Sequence, residues 1–205
     1  MPRIRAASID EHKEITRRAL VDAARALIDE AGTAEVPLGE IALAAGVGRT
    51  TFYEYFEDRD DVIATLVEEK LPVVIAGLIS SVPDDLPTDD RLARLAVATV
   101  RFVATDRVFG LILHREVGRM SQSAQIRIRD SHSQLSTEMA MIYRRGVDEG
   151  VFRPLPPYLV GRFIQDTIMS AARTLIEDET RLGEVTSGLE TFLLGGLGNW
   201  SLTKL

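Results

Sequence analysis

Apolar positions recur three and four residues apart along almost the whole chain of 205 residues, which is the spacing of one face of an α-helix. The first such segment starts with a capping box at Ser8 to Glu11 and stops at Gly32, which predicts helix 1. Another runs from about Arg59 to Ser80 with Asp58 as its cap and predicts helix 4, bent at Pro72. No alternating strand pattern or internal repeat is present, so the sequence indicates an all-α protein.

The remainder of the chain predicts five more helices after a turn-rich stretch at residues 81–88. Their apolar positions place them at about residues 92–103, 109–117, 123–149, 157–177 and 184–202. Gly150 closes the long third member of this series, and three prolines between residues 154 and 157 break the chain before the last two. Both final helices have broad apolar faces.

Residues 39–61, between helices 1 and 4, read GEIALAAGVGRTTFYEYFEDRDD and predict two short helices with a glycine turn between them. The first helix has one apolar stripe, formed by Leu38, Ile41, Ala42 and Ala45. Gly46 ends it, because glycine accepts the left-handed conformation that is usual just past a helix end. In the second helix Phe52 and Phe56 are expected to point inward. A helix-turn-helix of this kind reads DNA, although an ordinary helical hairpin has the same local pattern.

The other side chains of the second short helix suit contacts with DNA. An arginine fork can bond guanine, a threonine can contact a base or a phosphate, and a tyrosine hydroxyl can reach a phosphate. Such residues here are Arg49, Thr50, Thr51 and Tyr53. Glu54 is the exception, since a carboxylate repels phosphates unless it accepts a hydrogen bond from cytosine or pairs with a neighbour. We favour pairing or exposure to solvent.

Charge changes this picture, because the chain is acidic overall, with a formal net charge of −7. Residues 1–56 hold seven Lys and Arg against nine Asp and Glu. Bulk charge therefore does not favour nucleic acid, and any grip on DNA depends on local placement. Arg3 and Arg5 could form an arm that enters a minor groove, or simply a disordered terminus.

The run A-G-V-x-R-x-T-x-Y-x-x-F at residues 45–56, followed three residues later by a basic residue, resembles the TetR family of transcriptional repressors. The resemblance covers residues 8–70 and includes Arg17 and the pair Ala23-Ala24 in helix 1. It therefore extends over the whole region in which the two short helices lie.

The TetR resemblance implies a division of the chain and a set of DNA contacts. Helices 1–3 form a helix-turn-helix DNA-binding domain at residues 1–57, and helix 4 joins it to a helical ligand-binding and dimerisation domain at residues 58–205. Base contacts are expected near Arg49, and phosphate contacts from residues on either side of it. The full set that the resemblance implies is Thr16, Arg17, Gly48, Arg49, Thr50, Thr51, Tyr53, Tyr55 and Arg59.

Three positions depart from the TetR pattern. Pro37 replaces the usual Ser or Thr cap before the second helix, so that helix begins differently or is capped by other groups. Gly48 replaces the usual Ser before the recognition helix, at a cost of about a few tenths of a kcal/mol. Arg59 stands where Lys is usual, which keeps the charge and favours a forked phosphate contact.

By the same resemblance, the last two helices are expected to pair with their copies in a second subunit and form a four-helix interface. The interface residues expected are Ile168, Ala172, Leu189, Phe192, Leu193 and Leu197. The alternative is that both apolar faces close the core of a single subunit. Gly195, Gly196 and Gly198 suit either a close approach of helices or fraying of the last helix.

Between Phe102 and Met169 the chain supplies aromatic and thioether side chains, which can line an adaptable cavity or pack a core. The TetR resemblance favours a pocket for a small hydrophobic effector that carries one or two hydrogen-bonding groups. Its expected lining is Phe102, Phe109, Leu113, His114, Met139, Ile142, Tyr143, Phe163 and Thr167.

Other function classes find little support. The three histidines are scattered and no GxSxG, Walker or HExxH motif is present, so we expect no enzyme, no metal site and no cofactor. No signal core or membrane-spanning stretch is visible, so a cytoplasmic protein is expected. The prediction is a homodimeric transcriptional regulator, a repressor released from inverted-repeat operator DNA by its effector. The alternative is a helical ligand-binding or adaptor protein without DNA-binding activity.

Overall fold

A computed structural model describes the backbone of residues 2–199 and the side chains of residues 10–199. Within these residues the chain forms ten α-helices, and its β-type pairing is an isolated antiparallel bridge between Phe152 and Gly198. The predicted all-α class is confirmed. The helices are α1 (Pro2–Ala31), α2 (Leu38–Ala44), α3 (Arg49–Phe52), α4 (Arg59–Ser80), α5 (Thr88–Thr105), α6 (Arg107–Leu111), α7 (Gln122–Ser131), α8 (Ser133–Asp148), α9 (Pro157–Glu177) and α10 (Leu182–Leu197).

The chain divides into two compact units, each made of two stretches of sequence. The first contains Met1–Lys70 and Leu111–Asp130, and the second contains Leu71–Gly110 and Ser131–Leu205. The division differs from the predicted domains at residues 1–57 and 58–205, because the first unit also includes the first half of α4 and the segment that ends in α7. Contacts between distant stretches leave no periodic pattern in the sequence, so they could not be anticipated.

The first unit has an apolar core to which α1, α2, α3 and the first half of α4 all contribute. Its fully buried side chains include Leu20, Ala24, Ile28, Ile41, Phe52, Val62 and Leu66. Within this unit α2 packs against both α1 and α3. The short helices thus owe their stability to packing, since helices of four and seven residues are not stable alone.

In the second unit α5 packs against α8, α9 and α10, and α9 also packs against α10. The inner face of α5 is apolar at helical spacing, and its buried members include Leu92, Leu95, Ala96, Val100 and Val103. Phe152 packs directly on the backbone of α8, where a Cβ on Gly146 would lie 2.2 Å from its ring. Glycine is therefore required at position 146.

Several predicted boundaries agree with the structure and others do not. The predicted limits of α4 and α9 are confirmed, and Gly150, with φ of +74°, follows the end of α8 as expected. The single helix expected at residues 123–149 is wrong, because the chain breaks at His132 into α7 and α8. Serines flank that histidine, and serine hydroxyls compete with the backbone for helical hydrogen bonds.

The expected start of α1 is also wrong, because the helix already begins at Pro2 and runs through the capping box at Ser8. The last helix, α10, ends at Leu197, and Gly198 after it has an extended conformation. Trp200, expected on the last helix, lies outside the described residues, and the side chains of Arg3 and Arg5 lie outside the described side chains.

Among the helices described, none combines the length and the apolar character that a bilayer crossing requires. Between the ordinary helices α6 and α7 lie a π-helical turn at Ile112–Glu116 and a 3-10 turn at Val117–Arg119. The chain at residues 10–199 contains no group of three or more His, Cys, Asp or Glu side chains placed to hold a metal ion.

Candidate DNA-binding surface

The turn between α2 and α3 is closed by two hydrogen bonds to the last turn of α2. The Gly46 N–H donates to the Leu43 carbonyl at 3.0 Å, and the Val47 N–H donates to the Ala42 carbonyl at 2.9 Å. This pair is the Schellman pattern of a helix end. Gly46 has φ of +73°, in the left-handed region, so the predicted glycine stop is confirmed.

Both helices of this element begin without a side-chain cap. Pro37 precedes α2, and its carbonyl accepts hydrogen bonds from the N–H groups of Glu40 and Ile41 at 2.9 and 3.2 Å. Gly48 precedes α3 in an extended conformation, and its carbonyl accepts from the Phe52 N–H at 3.1 Å. The two departures from the TetR pattern therefore leave both helices in place and remove only the cap hydrogen bonds.

The short helix α3 buries one side and exposes the other. Phe52 and Phe56 are both buried, with 5.7 Å between their ring centroids, which confirms that they point inward. Glu54 is exposed, in agreement with the solvent alternative for this carboxylate. On the outer side Gly48, Arg49, Thr50 and Tyr53 are exposed, and Thr51 and Tyr55 are half-buried.

Arg49 and Tyr53 lie one helical turn apart and contact each other. Nη2 of Arg49 donates to the Tyr53 hydroxyl at 3.4 Å, and its guanidinium carbon lies 5.9 Å from the centroid of the tyrosine ring. Because the hydrogen bond is long, it orients the guanidinium weakly and leaves it able to bond elsewhere. An arginine fork and a phenol hydroxyl on one exposed face can contact a base edge and a neighbouring phosphate together.

The start of α4 carries a second arginine of the expected DNA-binding set. Asp58 Oδ1 accepts a hydrogen bond from the Asp61 N–H at 2.8 Å, which confirms the predicted cap. Arg59 follows, and its Nε and Nη2 donate to Oδ1 of Asp60 at 3.3 and 3.0 Å. The carboxylate reduces the net charge that Arg59 presents to a phosphate. Since Nε and Nη2 donate to Asp60, Nη1 is the nitrogen that could donate a hydrogen bond to a phosphate.

Arg17 of α1 is also paired with carboxylates. It donates to Glu14 at 3.2 and 3.4 Å and forms an ion pair with Glu69 of α4. The hydrogen bond with Glu14 raises the pKa of the Arg17 guanidinium above its usual value, so the residue stays charged. The neighbouring Thr16 donates its hydroxyl to the His12 carbonyl at 3.0 Å. Of the two carboxylate partners of Arg17 only Glu14, three residues away on the same helix, could have been found from the sequence.

In the second unit, most of the expected pocket residues form part of the core. Phe109, Met139, Ile142 and Tyr143 are buried, and Phe102 is half-buried with its ring centroid 5.6 Å from that of Phe109. The hydroxyl of Tyr143 donates to the Arg153 carbonyl and accepts from the Leu155 N–H, both at 2.9 Å. Tyr143 thus holds the loop after α8 in place.

The remaining expected pocket residues are not gathered in that core. Phe163 is 54% exposed, and the half-buried Thr167 donates its hydroxyl to the Phe163 carbonyl one turn back on α9 at 2.6 Å. Leu113 and His114 belong to the first unit, whereas the other seven residues belong to the second. Helical spacing alone gives no information on which of these side chains share a cavity.

A groove of about 390 Å³ opens on the second unit beside α5 and α8. Its lining is Asp84, Thr88, Arg91, Glu138, Met141, Ile142 and Arg145. Arg91 bridges two of the carboxylates, with Nη2 at 2.7 Å from Asp84 and 2.6 Å from Glu138. Of the expected pocket residues, Ile142 is the one that lines this groove, which is far more polar than the predicted cavity.

Most of the expected interface residues lie inside the second unit. Ile168, Ala172, Leu189, Leu193 and Leu197 are buried within the second unit, where α9 and α10 pack against α5. Phe192 is the exception, because its side chain is 67% exposed. Two further aromatic residues are exposed on α9: Tyr158, which the sequence analysis missed, and Phe163. In the sequence, the apolar faces of α9 and α10 are broad enough to form either a core or an interface. In the structure, most of their apolar residues are buried in the core of the second unit.

Two family profiles match most of the described chain. The family profile for bacterial regulatory proteins of the tetR family matches residues 20–66, and the profile for the C-terminal domain of tetracyclin repressor-like proteins matches residues 85–173. The first match covers the helix-turn-helix, and the second covers the helices from α5 into α9.

Individual relatives are more distant. The chain is 37% identical to the repressor LfrR of Mycolicibacterium smegmatis over 83 residues, 40% of this chain and 43% of LfrR. It is 26% identical to the repressor KstR2 of Mycobacterium tuberculosis over 159 residues, 77% of this chain and 80% of KstR2. The crystal structure of the regulator FadR from Bacillus subtilis in complex with stearoyl-CoA has a TM-score of 0.73 at 21% identity and covers 87% of this chain and 98% of FadR.

Proposed function

The chain belongs to the TetR family of bacterial regulatory proteins, and on that premise we propose that it is a homodimeric repressor of the cytoplasm, released from inverted-repeat operator DNA by an apolar effector. As a member of that family it is a DNA-binding transcriptional regulator. Residues 1–57 bind DNA, and the second unit binds the effector and the partner subunit. We assign it no catalytic role.

The observation that supports DNA binding most strongly is the exposed pair of Arg49 and Tyr53 beside a glycine-closed turn. The turn is held by backbone hydrogen bonds and Phe52 is fully buried, so α3 is a rigid platform. Arg49 would contact a guanine edge in the major groove, and Tyr53 a phosphate next to it. The acidic chain attracts DNA poorly at long range, so these local contacts carry the binding.

Dimerisation is proposed from the exposed aromatic residues of α9 and α10. Tyr158, Phe163 and Phe192 are all more than half exposed, whereas the other large apolar side chains of both helices are buried or half-buried. Exposed aromatic side chains are enriched at protein interfaces, where they bury large areas at low entropic cost. A symmetric pair of subunits would place two recognition helices one DNA turn apart, about 34–36 Å, or farther where extra spacing is built in.

The proposed effector is mostly apolar. FadR, one of the structural relatives, binds stearoyl-CoA, and the second unit of this chain supplies an aromatic and aliphatic interior around Phe102 and Phe109. Release requires two conformations, one that binds the operator and one that does not. The effector must bind the second conformation more tightly than the first. By linkage, a compound that weakens operator binding by some factor is itself bound that many times less tightly by the DNA-bound dimer. Binding of an uncharged effector should depend little on salt, whereas the phosphates of an acyl-CoA would make its binding salt-dependent.

Selection of DNA from a random-sequence library tests the proposal. The purified wild-type protein should enrich an inverted repeat, and the same protein with Arg49→Ala should enrich a motif with one position per half-site relaxed. Release of the selected DNA should then be tested with stearoyl-CoA as probe and free coenzyme A as its control. A library that shows no enrichment at moderate salt would reject DNA reading and leave the adaptor alternative.

A further inference from the structure

Two adjacent carboxylates at the start of α4 each hold one group on the DNA-binding side and one group on the α7 side. Asp60 accepts from Arg59 through Oδ1, at 3.3 and 3.0 Å, and from the Ser121 N–H through Oδ2, at 2.7 Å. Asp61 accepts from Nη1 of Arg127 through Oδ1, at 2.6 Å, and from the Glu57 N–H through Oδ2, at 2.9 Å. All of these residues belong to the first unit.

The two groups on the α7 side come from one short segment, although each is more than sixty residues in sequence from the carboxylate that it contacts. Ser121 stands at the start of α7, where its hydroxyl accepts from the Ala124 N–H at 3.3 Å. Arg127 lies on the same helix, six residues later. Fixing α7 against α4 therefore fixes both carboxylates at once.

Arg127 reaches along two turns of α4. Besides Asp61 it donates to Glu68 at 2.9 and 2.5 Å and to the Thr65 hydroxyl at 2.8 Å. Its hydrogen bonds with Glu68 raise the pKa of the guanidinium far above its usual value, so it remains charged. Such a planar fork with several acceptors is oriented more firmly than a single ion pair.

The partners on the near side are parts of the proposed DNA-binding surface. Glu57 directly follows the buried Phe56, so its N–H fixes the path of the chain as it leaves α3. Arg59 is the proposed phosphate contact, and Asp60 sets which of its nitrogen atoms point away from the protein. The sequence analysis singled out neither Ser121 nor Arg127. A backbone N–H or a charged side chain on a helix gives no sign of a partner that lies far away in the sequence.

We infer that Ser121 and Arg127 are positioning residues for operator binding, which act on the recognition element through Asp60 and Asp61 and not by touching DNA. The inference rests on the proposed function. It also makes the first turns of α7 a point of control, because any shift of α7 away from α4 would release Arg59 and the chain at Glu57 together.

The test compares Arg127→Gln with Arg129→Gln, a control on the same helix with the same change in charge. Arg129 is 72% exposed and contacts only its neighbour Asp130 among the ion pairs described, at 3.5 Å. With the selected operator as probe, R127Q should lose affinity by roughly three- to thirty-fold, and R129Q by less than about twofold. Equal affinities of the two variants, measured on folded protein well below its unfolding temperature, would overturn the inference.

Two further readouts separate positioning from general support of the fold. In a double-mutant cycle, R127Q should cost little additional affinity once Asp61→Asn is present, whereas additive losses would overturn an action through Asp61. R127K, which keeps the charge without the fork, should restore part of the affinity. R127K also replaces R127Q as the test variant if R127Q does not fold.

Hydrogen exchange gives a readout that requires no DNA. The Glu57 amide should exchange faster in R127Q or R127K than in wild type and R129Q, because its acceptor Asp61 is no longer held. An unchanged rate would contradict the inference. If wild-type protein shows no sequence preference, the proposed function fails, and the exchange of this amide still decides whether α7 positions the chain at Glu57.

Discussion

At the scale of single residues, the arginines of the DNA-binding surface differ in their surroundings. Arg49 is exposed and contacts only weakly the Tyr53 hydroxyl, at 3.4 Å, whereas Arg59 is half-buried and bonded to Asp60. An exposed fork can adapt to a base edge, while an arginine held by a carboxylate has a fixed direction and a reduced charge. The two residues should therefore fail in different ways when they are removed.

Arg49→Ala should relax base preference at one position of each half-site. Loss of a bidentate contact to guanine costs roughly 1–3 kcal/mol of discrimination, while affinity for unrelated DNA changes little. Competition between the selected operator and a variant substituted at that position measures the change. Discrimination equal to that of wild type would show that Arg49 does not read a base.

Arg59→Ala should weaken binding to all DNA sequences by a similar factor. A lost phosphate contact reduces the slope of log affinity against log salt by about one. Titrations of operator and scrambled DNA at four salt concentrations give that slope. The phosphate contact is excluded if the slope is unchanged, which would mean that Asp60 keeps Arg59 occupied in the complex.

At the scale of elements, the helix-turn-helix depends on the conformation of a single glycine. Gly46 has φ of +73° and nothing within 4 Å of an added Cβ, so conformation and not space makes glycine necessary there. Gly39, in the first turn of α2, also has open space around it but an ordinary helical conformation. The two positions form a matched pair.

Gly46→Ala should destabilise the protein by roughly 1–2 kcal/mol, because an L-residue resists the left-handed conformation. Gly39→Ala should stabilise it by about 0.5–1 kcal/mol, since alanine loses less conformational entropy in a helix. Urea unfolding of both variants against wild type measures the difference. If both substitutions have the same sign, the turn does not hold its glycine in the left-handed region.

The elements also show what a sequence can predict. The stop at Gly46, the cap at Asp58 and the inward Phe52 and Phe56 depend on neighbours within a few residues, so periodicity and capping rules found them. The contacts of Arg127 with α4 span about sixty residues and leave no local pattern. For the same reason the pocket residues predicted from composition divide between two units.

Predicting the interface was harder because α9 and α10 carry apolar residues on more than one side. Phe192 and Leu193 are adjacent, so they cannot face the same direction on a helix. The structure exposes the first and buries the second. Both sides of α10 satisfy helical spacing, so the sequence alone could not show which of the two residues is exposed.

At the scale of the whole molecule, the proposed dimer predicts the effect of a charge on the exposed face. Phe192→Glu should give monomers, because an unpaired carboxylate in an apolar interface is costly, while the fold remains since the side chain is exposed in the single subunit. Light scattering should report twice the chain mass of 22.6 kDa for wild type and the chain mass for the variant.

Met141→Glu is the matched control, because Met141 is another exposed apolar residue, on α8 of the same unit. This variant should remain dimeric. A wild-type protein that is monomeric at micromolar concentration would contradict the proposed assembly, and so would a dimer that survives the change at Phe192.

The preference of the wild-type protein for its operator tests most directly whether this chain reads DNA. At one stated salt concentration, the dissociation constants should be measured for the selected inverted repeat and for a scrambled duplex of the same length and composition. Sequence-specific binding predicts an operator that is bound about a thousandfold or more tightly. Equal dissociation constants for the two duplexes would contradict the assignment of α3 as a recognition helix.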